Sequence, residues 1–411
     1  MAGEWESAPL SELCEQIADC PHSTPLWTNS GVIVLRNQNI RGGRLDLSSP
    51  SYTDEAHFEQ RSRRARLKAG DLVITREAPM GEVCMVPENL RCCLGQRMVM
   101  LRSDPKKCDS RFLLYSIQSD AVQHEIKVNE GTGSTVSNLR IPLLEALQIP
   151  HPPLAEQKAI AAVLGALDDK IELNLRMNAT LEAMARALFQ SWFVDFDPVR
   201  AKLDGRKTAN LDPVTAALFP NSFEDSPIGP MPKDWEVKEL GEVIELAYGK
   251  PLKAEDRKRG LVRVYGANGP VGWHDEKLVS GPGIVVGRKG NPGVVTWTHG
   301  DFYPIDTTFY VEPKGGCRSL YFLYYALSLH NLANLSADSA VPGLNRNHAY
   351  MSKQVIPPQP VLTAFDKQIA PTFAAIHANE EQSRSLAALR DTLLPKLLSG
   401  ELTVSPIPSA E

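Results

Sequence analysis

The sequence has few of the features that mark secreted, membrane-bound or metal-dependent proteins. In its 411 residues, no apolar run approaches the roughly 20 residues that a membrane helix needs. The opening residues MAGEWESAPL lack the basic and apolar regions of a signal peptide. The seven cysteines form no Cys-x-x-Cys pair and their number is odd, so neither a disulfide framework nor a zinc site is expected. These absences predict a cytoplasmic protein with reduced, mostly buried thiols and no metal site.

Two families of catalytic motif are also missing. The only Gly-Lys pair, in Gly249–Pro251, is followed by proline, which excludes a G-x-x-x-x-G-K-[ST] phosphate loop. The only Asn-Pro pair, in Asn291–Gly293, is followed by glycine, so the Asn-Pro-Pro-aromatic motif of adenine methyltransferases is absent. We therefore assign no catalytic residue, and any chemistry must be supplied by other chains.

The formal charge is acidic, with 44 Lys and Arg against 49 Asp and Glu, giving −5. This balance argues against a generic polyanion binder, but local basic faces can still follow phosphates, because binding responds to the field at the contact surface. Each basic cluster could instead be ordinary solvated surface charge. The two basic clusters are Arg61, Arg63, Arg64, Arg66 and Lys68, and Lys250, Lys253, Arg257, Lys258 and Arg259.

The chain repeats its own organisation. Ile149–Pro153 (IPHPP) opens a long helical stretch, and Ile356–Pro360 (IPPQP) opens another. A similar Trp-containing phrase stands upstream of each, EWESAPLSEL from Glu4 and DWEVKELGEV from Asp234. This repetition predicts a tandem of globular unit, helix, globular unit and helix, with two related binding tasks rather than one active site.

Both long helices carry a heptad seam, with residues spaced alternately by four and three that are mainly apolar at the ends and polar in the middle. At about 1.5 Å per residue, the first helix from Leu154 to Trp192 is about 58 Å long, as a spacer would be. We expect the two helices to pair antiparallel, with a polar centre that fixes their register. The first seam is Ile160, Leu164, Leu167, Ile171, Asn174, Asn178, Leu181, Ala185, Leu188 and Trp192. The second is Phe365, Ile369, Thr372, Ile376, Asn379, Ser383, Leu386, Arg390, Leu393 and Leu397.

The globular units are predicted to mix α and β structure. Short Val- and Ile-rich runs bounded by Gly, Pro and Asn are typical of strands, and each unit also has a short helix, Phe112 to Ile117 or Tyr321 to Leu329. The linker between the units contains VTAALFP, a brief helix. The predicted strands are Val32–Leu35, Leu72–Ile74, Val83–Val86, Met98–Leu101, Leu261–Val264, Ile284–Val286, Val294–Trp297 and Thr308–Val311.

Three segments closely resemble the specificity subunit of Type I restriction-modification enzymes. They are Leu173–Lys202, Gly131–Gln157 and Ala340–Tyr350. The resemblance extends over essentially the whole chain. It implies an α+β fold in which two mixed α/β target recognition domains are separated by two long antiparallel, coiled-coil-like helices, as a pseudo-two-fold tandem repeat. The implied boundaries are 1–152 for the first recognition domain, 153–198 for the central conserved helix, 199–233 for the linker, 234–359 for the second recognition domain, 360–400 for the distal conserved helix and 401–411 for the tail.

The same resemblance implies a function without catalysis in this chain. Each recognition domain reads one half of a bipartite, asymmetric target in double-stranded DNA, and the helices set the spacer. The implied partners are two modification (methyltransferase) subunits and the restriction (translocase and endonuclease) subunits. S-adenosylmethionine, ATP and Mg²⁺ are used by those partners, and no cofactor is bound by this chain.

Candidate DNA-reading residues lie in loops that follow the predicted strands, since Arg, Lys, Asn, Gln and occasionally Glu read base edges. Hydroxyls and amides of the GTGSTVSN turn suit phosphates. Because the loops of the two units differ, the half-sites should differ too. In the first unit the candidates are Arg36, Asn37, Gln38, Asn39, Arg41, Thr75, Arg76, Glu77, Ser134, Thr135 and Asn138. In the second they are Tyr265, Asn268, Arg288, Lys289, Asn291, Asn345 and Arg346.

An arginine among these candidates can read a base edge or contact phosphate. Replacing Arg76 or Arg288 by Ala is expected to relax the specificity at one base position in the first case and to weaken binding to all sequences equally in the second.

Two alternatives to DNA recognition remain open from the sequence. The spacing of Asp306, Glu312 and Lys314 fits a loose D…ExK nuclease pattern, and the chain could also be a scaffold whose two units bind proteins.

The apolar end of the first long helix has more large side chains than a two-helix seam needs. We interpret it as a docking surface for a modification subunit, so that loss of Phe189 and Trp192 abolishes co-purification. Packing against the chain's own second helix or linker is the alternative. The predicted interface residues are Leu188, Phe189, Trp192, Phe193 and Phe196.

Overall fold

The computed structural model describes residues 5–128, 138–207, 211–335 and 343–404. The chain forms two compact units: unit 1 is Met1–Leu173 with Gln382–Glu411, and unit 2 is Asn174–Glu381. The division falls inside both long helices, so each unit contains one half of each helix. Among the described residues, no helix combines the length and the apolar character needed to cross a membrane.

Unit 1 begins with short strands and helices and ends in the first long helix. Its strands are β1 (Ser7–Pro9), β2 (Cys14–Asp19), β3 (Val32–Leu35), β4 (Ile40–Arg41), β5 (Arg44–Leu45), β6 (Ser51–Thr53), β7 (Leu72–Thr75), β8 (Val83–Met85), β9 (Cys92–Leu94), β10 (Met98–Ser103) and β11 (Gln148–Pro150). Its helices are α1 (Leu10–Leu13), α2 (Glu55–Arg61), α3 (Ser110–Gln118), α4 (Asp120–Val128), α5 (Ile141–Glu145) and the first half of α6 (Leu154–Phe193).

Unit 2 continues from α6 and contains the first half of the second long helix. Its strands are β12 (Phe223–Glu224), β13 (Met231–Pro232), β14 (Glu236–Glu239), β15 (Ile244–Tyr248), β16 (Val262–Gly266), β17 (Gly269–His274), β18 (Gly283–Gly287), β19 (Val295–Thr298), β20 (Phe302–Pro304), β21 (Thr308–Pro313) and β22 (Lys353–Ile356). Its helices are α7 (Asp197–Leu203), α8 (Pro213–Ala217), α9 (Leu240–Val243), α10 (Leu320–Leu329), α11 (Arg346–Tyr350) and α12 (Gln359–Leu398), of which the last half belongs to unit 1.

The two units repeat one sheet topology. A four-stranded antiparallel sheet has the order β2-β10-β7-β8 in unit 1 and β15-β21-β18-β19 in unit 2. A three-stranded sheet has the order β6-β3-β9 or β17-β16-β20, and in both cases one of its pairs is parallel. A two-strand pair, β1-β11 or β14-β22, closes each domain just before a long helix. The predicted α+β tandem repeat is confirmed.

The predicted strands and short helices are all found, because their apolar runs were bounded by residues that end regular structure. Each predicted strand overlaps an observed one, often extended by a residue or two, as Met98–Leu101 is within β10. The linker helix α8 starts at Pro213, where the Asp212 carboxylate accepts hydrogen bonds from the amides of Val214 and Thr215.

The long helices α6 and α12 are each 40 residues long, and their seams are covered along their whole length. Every predicted seam position of both helices is buried or half-buried. In unit 1, Ile160 and Leu164 of α6 share a core with Leu397 of α12 and with the four-stranded sheet. The Asp168 carboxylate accepts hydrogen bonds from Arg390 and from the Tyr115 hydroxyl, both at 2.7 Å. Packing and charge therefore both fix α12 against α6 in this unit.

In unit 2 the pairing of α6 with α12 has the expected polar centre. The Asn379 amide donates to the Asn178 side-chain oxygen at 2.8 Å, and Asn178 donates to the Ile376 carbonyl at 3.3 Å. The Asn174 amide donates to the Asn379 carbonyl at 3.3 Å from a fully buried position. Because these bonds join residues at specific levels, they select one register of the antiparallel pair. The prediction of a polar centre is confirmed.

The aromatic end of α6 forms the core of unit 2, which corrects the predicted docking surface. Phe193 lies between Phe365 of α12 and Phe322 of α10, with ring centroids 4.9 and 5.0 Å apart. Trp192 packs edge-on against Phe219 of the linker at 5.1 Å. The alternative of packing against the chain's own second helix and linker is therefore the correct one. The five predicted interface residues all pack in this core, with Leu188 half-buried at its edge and four buried: Phe189, Trp192, Phe193 and Phe196.

Candidate nucleic-acid interface

Unit 1 carries a polar cavity of about 440 Å³ at the ends of its strands. Three of the predicted reading residues, Arg36, Asn37 and Gln38, line it. They follow β3 directly, so the strand fixes where the backbone of this segment emerges. The sequence did not single out three other residues that line the same cavity: Trp27, Gln96 and Arg97.

The cavity combines a guanidinium with an exposed aromatic ring. Arg36 lies over the Trp27 ring at 5.2 Å from its centroid, and Trp27 is 46% exposed. Arg97 pairs with the Glu77 carboxylate at 3.0 Å, which orients its guanidinium. An Arg fork can donate to a guanine edge, and an exposed indole offers a stacking surface. Position could have revealed Arg97, because it directly precedes β10.

Two predicted reading residues in unit 1 are instead structural, which corrects their assignment. Asn39 is 2% exposed; its side chain accepts from the Arg36 amide and donates to the Asp46 carbonyl, both at 2.9 Å. Thr75 is fully buried, and its hydroxyl donates to the Pro79 carbonyl at 2.6 Å. Both close turns with their own polar atoms, so neither is available to a base. Asn37 is partly used in the same way, since its amide donates to the Glu77 carbonyl.

Arg76 is held inside unit 1. Its Nε donates to the Leu139 carbonyl at 2.8 Å, and its Nη1 lies 3.0 Å from both carboxylate oxygens of Asp19. The Arg76 side chain is only 12% exposed. These bonds favour a role in positioning the turn after β7 over direct reading of a base. Arg41 is exposed, and its role in contacting DNA stays a prediction.

The predicted phosphate-binding turn is described only at its end. Ser134 and Thr135 lie outside the described residues. The Asn138 side-chain oxygen is buried and has no hydrogen-bond partner among the residues that the structure describes.

One member of the first basic cluster is also structural. Arg61 is 5% exposed, and its guanidinium donates to the carbonyls of Leu94, Ser23 and Pro21. Burial lowers the pKa of Arg61 from its usual value. The field of this cluster at the surface therefore depends on the remaining basic residues.

Unit 2 presents an exposed tyrosine with two arginines beside it. The guanidinium of Arg288 lies 4.8 Å from the Tyr248 ring centroid, and that of Arg346 lies 5.2 Å from it. Tyr248 is 50% exposed at the end of β15. Arg288 also donates to the Asp306 carbonyl at 3.1 Å. The structure thus brings the two predicted arginines together around an aromatic ring that the sequence did not identify.

A carboxylate anchors one side of this group. Glu245 accepts a hydrogen bond from Arg346 at 3.0 Å and also pairs with Lys314. The hydrogen bond from Lys314, with smaller contributions from Tyr350 and Arg346, lowers the pKa of Glu245 although partial burial opposes this. Glu245 therefore stays ionised at neutral pH and holds Arg346 in place.

The glycine-rich turn after β18 places further polar groups at the surface. The Asn291 amide donates to the Asn268 side-chain oxygen, and both residues and Lys289 are exposed. Gly293 has φ +83°, and a Cβ there would lie 2.3 Å from the Ala333 amide nitrogen. Glycine is thus required where the turn passes the neighbouring segment.

Two predicted residues of unit 2 have structural contacts. Tyr265 is 2% exposed and packs edge-on against Phe302 in a small core, which corrects its assignment as a reading residue. The Asn345 side chain caps α11 by accepting from the amides of Asn347 and His348 at 3.0 and 3.3 Å. These two bonds use the side-chain oxygen of Asn345 and not its NH₂ group.

The nuclease pattern has no matching geometry. Lys314 is paired with Glu245, and the Asp306 carbonyl is engaged by Arg288. Within the described ranges, Asp306 and Glu312 belong to no cluster of His, Cys, Asp or Glu spaced to hold a metal ion. The nuclease alternative is not supported.

Comparison with known proteins gives a consistent set of relatives. A family model described as "Type I restriction modification DNA specificity domain" matches residues 2–183 and 232–383. The Type I restriction enzyme MjaIX specificity subunit of Methanocaldococcus jannaschii is 27% identical over 361 residues, covering 82% of this chain and 79% of the relative. The HindI specificity subunit of Haemophilus influenzae is 25% identical over 405 residues, covering 82% and 87%.

A solved structure shares the fold. The crystal structure of the Type I restriction-modification S subunit from M. genitalium superposes with a TM-score of 0.57 at 20% identity, covering 96% of each chain. The nuclease reading finds no counterpart among these relatives.

Proposed function

The chain belongs to the family of Type I restriction-modification DNA specificity subunits, and we propose that each of its two units reads one half of a bipartite, asymmetric DNA target. One observation carries this proposal. Both units build the same sheets but expose different groups, Trp27 with Arg36 in unit 1 and Tyr248 with Arg288 and Arg346 in unit 2. Equal frames with unequal side chains should select unequal half-sites.

As a specificity subunit, the chain works with DNA and with the other subunits of a restriction-modification system, to which the methyltransferase and endonuclease activities belong. In finer detail, we propose assembly with two modification subunits that use S-adenosylmethionine and with restriction subunits that use ATP and Mg²⁺. The chain itself binds none of these. Its proposed location is the cytoplasm, together with the DNA that it selects.

The proposed reading groups differ in what they offer to DNA. Guanidinium forks on Arg36, Arg288 and Arg346 can donate two hydrogen bonds to a guanine edge. The partly exposed rings beside them hold these forks in place and shield them from water. Arg41 and Lys289 are exposed, and within the described ranges neither lies over an aromatic ring, so both suit phosphate contacts that position the domain without reading sequence.

Replacing one proposed reading arginine in each unit should relax a different half of the target. We expect Arg36→Ala and Arg288→Ala each to lose about 1 to 3 kcal/mol of discrimination at one base position, because a bidentate contact to a guanine would be removed. The measurement is a map of methylated adenines in cells that carry the variant with its modification subunit.

Arg259→Ala is the matched control, since Arg259 is an exposed member of the basic cluster in unit 2 and should leave the motif unchanged. If Arg36→Ala or Arg288→Ala instead lowered methylation equally at all sequences, that arginine would be a phosphate contact. If both relaxed the same half, the assignment of one half to each unit would be wrong.

A different part of α6, on its exposed face, is a candidate docking surface for the modification subunit. Met177 and Met184 are seven residues apart on one side of the helix and are 41% and 62% exposed. Flexible thioethers at a surface adapt well to a protein partner. We propose that this face contacts a modification subunit.

Placing a charge on this face should weaken assembly. We expect Met184→Glu, and more strongly the double variant with Met177→Glu, to reduce co-purification of the modification subunit, because a desolvated carboxylate opposes apolar contact. Val214→Glu is the control, since Val214 is 78% exposed elsewhere in unit 2. Assembly at the wild-type level in the double variant would place the interface on another face.

A further inference from the structure

A group of metal-binding residue types lies in unit 2 and includes none of the proposed reading residues. His299 is in the turn between β19 and β20, and His377 and Glu380 are on α12. One ligand atom from each of the three side chains lies within 4.8 Å of the others. All three residues are half-buried. The fold thus brings two imidazoles and a carboxylate together from the β19–β20 turn and from α12.

The spacing on α12 suits chelation, because residues three apart lie on one face of a helix. Two imidazoles and one carboxylate are the protein ligands of many tetrahedral zinc sites, in which water takes the fourth position. Imidazole nitrogen also favours transition metals over Mg²⁺ or Ca²⁺. We propose that His299, His377 and Glu380 bind a divalent transition-metal ion of the Zn²⁺ class, which ties the β19–β20 turn to α12.

An independent observation supports the site. The His377 Nδ1 atom is buried, and no described residue gives it a hydrogen bond. Buried polar atoms are almost always partnered, so this nitrogen calls for a ligand. A metal ion bound at this nitrogen would supply that partner.

The two histidine rings lie close enough to share one ion. The rings of His299 and His377 stack with centroids 4.8 Å apart and an angle of 17° between their planes. The outer torsion of histidine is soft, so the ring edges can turn toward a common ion at small cost.

Neighbouring groups compete with the ion and limit its affinity. Arg263 lies 3.3 Å from a Glu380 oxygen, but it also pairs with Glu381 at 3.5 Å, which can retain it when Glu380 turns. The Trp297 indole donates to His299 Nδ1 at 3.3 Å, a long hydrogen bond that coordination through this atom would replace. We therefore expect micromolar rather than tighter binding.

Calorimetric titration of the tag-free, chelator-treated full-length chain with ZnCl₂ tests the site. One ion should bind per chain and raise the midpoint of thermal unfolding. We expect His299→Ala, His377→Ala and Glu380→Gln each to weaken binding by roughly tenfold or more, since even the loss of groups that merely support metal ligands has an effect of this size. Circular dichroism of each variant checks that it is folded.

Two controls separate this site from other sources of binding. His348→Ala removes an exposed histidine on α11 and should leave the titration unchanged. Co²⁺ in place of Zn²⁺ should give no intense thiolate charge-transfer absorption, which excludes the seven cysteines. Failure to take up one ion in the micromolar range, or equal uptake by the three variants, would overturn the proposal. Neither outcome bears on DNA recognition by the reading arginines.

Discussion

Phe193→Ala should lower the free energy of unfolding of unit 2 by about 3 to 5 kcal/mol, the usual loss for a buried phenylalanine. Phe193 is 4% exposed and contacts rings on both long helices and on α10. Its removal leaves a cavity that the surrounding rings cannot fill without losing their own contacts. The total free energy of unfolding of a typical domain is about 5 to 15 kcal/mol, so this loss would bring unit 2 close to unfolding.

Urea unfolding followed by tryptophan fluorescence measures this loss, because Trp192 and Trp235 lie within the same core. Val194→Ala is the matched control: Val194 is adjacent and 38% exposed, and it should change stability by less than about 1 kcal/mol. The experiment also separates the two interpretations of this segment. If Phe193→Ala left the isolated chain as stable as the wild type while assembly was lost, the ring would be a docking residue after all.

Lengthening both long helices by one heptad should lengthen the DNA spacer. Seven residues at about 1.5 Å each add roughly 10 Å, or about three base pairs at 3.4 Å per pair. A tandem duplication of Leu167–Leu173 in α6 with one of Gln382–Ala388 in α12 keeps the heptad seam of each helix in phase. The methylated motif should keep both half-sites but separate them by about three more base pairs, and the original sites should lose methylation.

The control lengthens only one helix. A duplication in α6 alone shifts Ile160 and Leu164, which precede it, against α12, so their packing with Leu397 and the Asn178–Asn379 hydrogen bond cannot both form. We expect that chain to be unstable or inactive. A spacer of unchanged length in the double duplication, with full methylation, would show that the helices do not set the separation of the half-sites.

Local patterns predicted much of the fold. The heptad spacing of Ile160, Leu164 and their successors specified both helices and their covered faces, since periodicity depends only on neighbours in sequence. Asparagines at matching seam positions predicted the polar centre that Asn178 and Asn379 form. Val- and Ile-rich runs between turn formers located the strands. The pairing of β3 with β9 was not predicted, because these strands are far apart in sequence.

The candidate site was predicted less well, for a physical reason. Asparagine and threonine close turns with the same atoms that read bases, and only the three-dimensional contacts show that Asn39 and Thr75 are used internally. Apolar periodicity shows that the Phe193 side chain must be buried, but it does not show whether this chain or a partner subunit buries it. Tyr248 stood alone in sequence, and its importance comes from arginines at positions 288 and 346 that folding brings to it.

Two dissimilar units should each select one half of a split DNA site. The most direct test of this claim is a map of methylated adenines in cells that lack other methyltransferases and carry this chain with its modification subunit. We predict one motif made of two different short sequences separated by a fixed stretch of unspecified bases. A continuous motif, or two identical half-sites, would contradict the claim.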